Sequence, residues 1–145
     1  MSNALVSAIY TRSQVASNYK TSIGGRQYFI KASKDENGNL TYPFVIFFIL
    51  ADKNDDYFNV ASDSTQSLES VRCQFNIHSN TSSSANEVTT IAEYLKTHYD
   101  YCSLSVTGNN SMVMRRTNIY GPFWMNDTEE WIYSIEYSVE LQKTS

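Results

Sequence analysis

Two spacings of apolar residues run along this chain, and the places where one gives way to the other mark its elements. After Ser2 and Asn3, apolar side chains fall at Leu5, Ala8, Ile9, Val15, Ala16 and Tyr19, one helix face interrupted only by Arg12. This spacing predicts a helix from about Ala4 to Asn18, capped by Ser2 or Asn3. Gly24-Gly25 ends the local order. The segments Gln27 to Lys34 and Thr41 to Ala51 flank Asp35-Glu36-Asn37-Gly38-Asn39, and Asn-Gly supplies the positive φ angles of a tight hairpin turn. The two segments are therefore expected to be antiparallel neighbours. Phe44 to Leu50 is apolar on both alternating faces, which predicts a central strand covered on both sides.

Residues 52–67 are polar, with Tyr57-Phe58 set among Asp, Asn and Ser, and read as a long loop. Strict alternation begins at Leu68: Val71, Cys73, Phe75 and Ile77 inward against Arg72, Gln74, Asn76 and His78 outward, a strand with one wet face. Ser84 and Glu87 form a capping box before Val88, Ile91, Ala92, Leu95 and Tyr99, the stripe of a second helix. Three further strands are predicted at Cys102 to Thr107, Ser111 to Tyr120 and Glu130 to Leu141. Gly121-Pro122 is expected to open a loop, residues 121–130, that holds Phe123, Trp124 and Met125. The order predicts an α+β fold in one domain spanning 1–145, one mostly antiparallel sheet packed with two helices. Phe44, Ile46, Phe48, Cys73, Phe75, Ile77, Tyr133, Ile135 and Tyr137 are assigned to the core or its margin.

Charge narrows the function. The chain has 145 residues, 18% of them charged, with 11 basic against 15 acidic and a net charge of -4, so no basic field exists to hold phosphates. Specific DNA binding and attraction to an anionic membrane surface are not expected. The longest apolar run, residues 43–50, is far below the roughly 20 residues a membrane span needs, and residues 1–12 carry no basic leader before an apolar segment. A reducing, cytoplasmic setting is the expectation. Cys73 and Cys102 are too few for a disulfide framework, lack zinc-ligand spacing, and are read as small core residues.

No catalytic constellation emerges. Asp35-Glu36, Asp55-Asp56 and Glu129-Glu130 lie in or beside turns, where solvation rather than acid/base work is expected. His78 and His98 have no partner at ligand spacing, and no Ser, Thr or Cys sits in a nucleophile elbow. No enzyme, metal or cofactor is expected. Arg115-Arg116 reads either as strand-end charges or as a subunit contact. Phe123 and Trp124, like Tyr57 and Phe58, either fold back on the core or await a partner.

One family shares this order of motifs. The chain reads Ala4-Leu5 to Ala8-Ile9-Tyr10, then Gly24-Gly25-Arg26-Gln27-Tyr28, then Tyr42-Pro43-Phe44-Val45. Phe75-Asn76-Ile77-His78-Ser79, Ser103 to Gly108, Met114-Arg115-Arg116 and Tyr137-Ser138-Val139 follow. In this order the motifs resemble the tail completion, or tail terminator, proteins of long-tailed phages and related prophages, over nearly the whole chain. The resemblance implies a structural virion protein without catalytic residues. It would form a hexameric homo-oligomeric ring on the finished tail tube, stop its growth, and offer a surface to the head-completion or connector protein. It would sit at the head-proximal end of the tail, with DNA passing through the ring unread. Two rival readings stay open: a head-to-tail connector of the neck, and a small-molecule-binding α+β module. For ring closure, Arg115 and Arg116 are candidates for one face and Asp55, Asp56, Tyr57 and Phe58 for the other, with closure through sheet edges as the alternative.

Overall fold

A computed structural model describes residues 3–55, 68–81, 84–111 and 113–143. The elements are α1 (Asn3–Ser13), α2 (Asn18–Ile23), β1 (Gln27–Phe29), β2 (Phe44–Asp55) and β3 (Leu68–Ser79), then α3 (Asn86–Tyr99), β4 (Asn109–Ser111), β5 (Arg115–Met125) and β6 (Glu130–Lys143). Among the described residues the six strands form one mixed sheet ordered β1-β2-β3-β6-β4, with β5 also paired to β6. The fold is α+β, as the element order predicts, with three helices rather than two.

The first predicted helix is split. Ser17 accepts from the Lys20 amide at 3.1 Å and starts α2, so its hydroxyl competes for a backbone donor that a continuous helix would have used. All three helices lie on one face of the sheet. Leu5, Ile9, Tyr19, Ile23, Val88, Ile91, Leu95 and Tyr99 share a single buried cluster with Val45 and Phe47 of β2, Val71 to Ile77 of β3 taken alternately, and Tyr133 to Leu141 of β6 taken alternately. The alternation predicted for β3 is therefore obeyed, and β6 alternates in the same way. β2 departs from expectation: Val45 and Phe47 are buried, but Ile46 and Phe48 are half-buried and Leu50 is exposed, because no helix covers the sheet's second face.

The predicted hairpin does not form. β1 runs parallel to β2, with Gln27 opposite Val45 and Phe29 opposite Phe47. The Arg26 guanidinium donates to the carbonyls of Pro43 at 3.0 Å and Tyr42 at 3.3 Å, and the Val45 amide donates to the Arg26 carbonyl. These bonds lock the start of β1 beside the start of β2, and that fixes a parallel pair. The Asn37-Gly38 turn exists, with Gly38 at φ 79° and the Asp35 carboxylate accepting from the amides of Asn37 and Asn39 at 2.9 Å. It lies within the crossover loop instead of between paired strands.

Other expectations are corrected. The predicted strand from Cys102 to Thr107 joins no ladder, although Cys102, Leu104 and Val106 are buried alternately. Ala85, not Ser84, is the N-cap of α3, and no side chain caps it. The Glu87 carboxylate accepts instead from the Ser79 hydroxyl at 2.6 Å, tying the helix to β3. The expected loop 121–130 is mostly strand. β5 continues through Gly121-Pro122 with a bulge and ends at Met125, and the turn 126–129 closes a hairpin onto β6. Pro122 is tolerated because β5 is an edge strand, where a missing backbone donor faces outward.

Candidate assembly surface

Two edges of the sheet are open among the described residues. β1 pairs only with Val45 to Phe47, so β2 from Phe48 to Asp55 has β3 on one side and no strand on the other. At the opposite margin β5 pairs with β6 alone. Nearly every residue of β5 is exposed, including Ile119, Tyr120, Phe123 and Met125. A long edge bearing apolar side chains is a template for another chain, and proteins that stay monomeric blunt such edges with charge or cover them.

The site residues predicted from sequence fall into three groups. Arg115 and Arg116 open β5, opposite Ser138 and Tyr137. The Arg116 guanidinium lies 3.5 Å from the Asp100 carboxylate, which also accepts from the Tyr137 hydroxyl at 2.6 Å, so Arg116 braces its own subunit. Arg115 is exposed and has no ion-pair partner among the described residues. Phe123 and Trp124 lie on β5 near the hairpin turn, Phe123 exposed and Trp124 edge-on to Trp131 with ring centres 5.3 Å apart. Asp55 ends β2, paired with Leu68; Asp56, Tyr57 and Phe58 lie outside the described residues.

The sheet's uncovered face is polar and internally bonded. Glu136, 3% exposed, accepts from the Arg72 guanidinium at 2.9 Å and the Thr117 hydroxyl at 3.2 Å, linking β3, β6 and β5. Asn76 accepts from both Gln74 and Ser134 at 2.7 Å. Where β6 begins, the Glu130 carboxylate accepts from the Tyr42 hydroxyl at 2.6 Å and lies 3.0 Å from Nδ1 of His78, whose ring stacks on Phe44. Burial and the bond to Glu130 push the Tyr42 hydroxyl up to about 12. Glu130 is thus a buried, fully bonded carboxylate where the sequence suggested a solvated turn. The signal lay in register: the wet-face residues of β3 stand beside those of β6, cations and amides against carboxylates.

The two cysteines are buried free thiols. Burial, then the neighbouring Glu136, pushes the Cys73 thiol up to about 12, and burial raises Cys102 as well. Thiolates are what react, so neither site supplies a nucleophile near neutral pH. Among the described residues no three His, Cys, Asp or Glu side chains stand close enough to hold a metal ion, and no helix is long and apolar enough to cross a membrane.

No family model and no curated protein matches the sequence. Solved structures do share the fold. A chain from the virion of a native gene transfer agent particle superposes with a TM-score of 0.73 at 10% identity, covering 97% of this chain and 96% of that one. A second solved chain, known only by a sequence label, superposes with a TM-score of 0.68 at 12% identity, covering 100% of this chain and 99% of the other. The likeness spans both partners from end to end, so a complete fold is shared.

Proposed function

We propose that this chain is a structural virion protein of the tail terminator kind: a ring that caps the phage tail tube, ends its elongation and presents a surface for head attachment. The observation that carries this reading is the end-to-end fold likeness to a chain of a gene transfer agent virion. The open edges of β2 and β5 lend it support, because they lie at opposite margins of one sheet and suit a heterologous contact that closes into a ring. The bonded polar face of the sheet suits a surface that meets water or passing DNA rather than a packed core. The expected partners are further copies of the chain, the tail tube protein and a head-completion or connector protein. DNA would slide past an acidic subunit with net charge -4.

The test is mass in solution with negative-stain imaging, followed by addition of purified tail tubes or filled heads. Rings of six that cap tubes are expected. Rings that bind filled heads and ignore tubes would move the protein to the neck, and a monomer that caps nothing would sink the proposal.

A further inference from the structure

A cavity of about 420 Å³ opens beside the β5–β6 hairpin turn, lined by Tyr42, Asn80, Trp124, Thr128 and Glu129. Two of its walls are aromatic, and both are fixed from behind. Trp124 is braced edge-on by Trp131, and Tyr42 packs on Phe44 while its hydroxyl donates to the buried Glu130 carboxylate. A phenol that donates to a carboxylate gains electron density in its ring, which strengthens the attraction of that face for a cation. At the lip stands Glu129, exposed, held at φ 53° by the turn, and without a hydrogen bond or ion pair among the described residues. The Arg26 guanidinium is engaged on the carbonyls of Tyr42 and Pro43, and the His78 ring on Glu130. Aromatic faces, a free carboxylate and an uncommitted Asn80 amide together complement a planar, weakly hydrated cation with several donors.

We infer that this cavity is a docking pocket for an arginine side chain carried by a partner protein segment, its guanidinium lying against Tyr42 and Trp124 and forking onto Glu129. Arginine fits better than lysine because its flat guanidinium stacks on a ring while still donating in the ring plane. A phosphate or acidic peptide is repelled by the same carboxylates. The pocket stands on its own geometry and holds whether or not the ring proposal does.

The chain has two tryptophans, Trp124 and Trp131, so indole signals report on this corner of the molecule alone. The full chain would be titrated with acetyl-Gly-Arg-Gly-amide and with its citrulline analogue, which keeps the shape and loses the charge, following the indole N–H resonances and tryptophan fluorescence. Saturable shifts are expected with the arginine peptide and not with the citrulline one. Added salt should weaken the interaction. Glu129→Gln, a turn-surface change that leaves the fold intact, should weaken binding about two- to fivefold. Trp124→Leu should weaken it about three- to tenfold. Equal response to citrulline, unchanged affinity in Glu129→Gln, or indole signals that move with glucose and not with the arginine peptide would each overturn the assignment.

Discussion

At the scale of single residues, His98 shows how a side chain that the sequence marks only as lacking a metal-ligand partner acquires a structural task. Its Nε2 donates to the Arg12 carbonyl at 2.6 Å, the Arg12 guanidinium donates back to the His98 carbonyl at 2.8 Å, and its ring stacks on Tyr19. This reciprocal clasp joins the end of α1 to the end of α3. Burial lowers the His98 pKa from its ordinary 6.5, and the Arg12 charge acts the same way, although the bond to the Arg12 carbonyl opposes them. A histidine whose folded pKa is depressed binds protons more readily when unfolded. Its contribution is therefore fully present above the unfolded value and is lost as pH falls from about 6.5 through the folded pKa. Thermal unfolding followed from pH 7.5 to 5 should show a falling midpoint, and the fall should be shallower in His98→Gln. Parallel pH profiles for the two proteins would show that His98 is not the group responsible. The buried hydroxyls beside it are fixed in the same way: Tyr19 donates to the Gln27 side chain, and Tyr99 donates to the Ile9 carbonyl at 2.9 Å. Burial raises the pKa of both, so they stay neutral donors.

At the scale of elements, β2 separates the two faces of the sheet within adjacent residues. Phe47 is fully buried under the helices, whereas Phe48 is half-buried on the open face. Phe47→Ala should cost about 3–5 kcal/mol, and Phe48→Ala about 1–2 kcal/mol in the isolated subunit. Denaturant titration of the two variants checks this, and equal losses would show that the second face is covered after all. Gly121, inside the β5 bulge, offers a second check. It sits at φ 115°, and a Cβ there would meet the Ile132 carbonyl oxygen at 3.0 Å. Gly121→Ala should cost about 1–3 kcal/mol, more than Gly38→Ala, where an added Cβ meets nothing within 4 Å. Legibility from sequence followed the same division. β3, β6 and the apolar stripe of α3 were readable because burial on one face imposes a period that composition cannot hide. The direction of β1 was not, since a single long-range clasp by Arg26 decided it against a strong local turn signal. The length of β5 was hidden for a related reason: an exposed edge strand has no buried face to enforce alternation, and Gly121-Pro122 looks like a breaker. Of the candidate site, the residue identities Arg115, Phe123 and Trp124 were legible as exceptions to pattern, but the pocket and the buried Glu130 depend on contacts between distant segments.

At the scale of the whole molecule, the question is how one subunit would meet the next. A compact chain of this length has a radius of gyration near 15 Å, hence a diameter of about 38 Å as a sphere. Six such bodies around an axis leave a hole of similar width, enough for a duplex. Because the subunit is acidic overall, it should retain duplex DNA no better than a neutral control at physiological salt, and a binding constant that falls steeply with added salt would reveal a basic patch. The proposed ring would take its direction of closure from the sheet. β2, β3, β6 and β5 are antiparallel in succession, so β2 and β5 run opposite ways. A neighbour's free β2 edge laid against β5 would continue the sheet in the same antiparallel pattern. In register, Arg115 lies level with Ser138, Arg72 and Ala51, next to Asp52, so the basic start of one edge would meet the acidic end of the other. This arrangement would unite the two routes to closure that the sequence left as alternatives. Arg116 is the poorer probe, since reversing its charge would also disturb Asp100 within the subunit. We therefore expect Arg115→Glu to lower the assembled mass measured by light scattering while leaving the thermal midpoint of the subunit within about 0.5 kcal/mol of stability. If this variant still assembles into hexamers that cap tail tubes, the Arg115 end of the β5 edge takes no part in closing the ring.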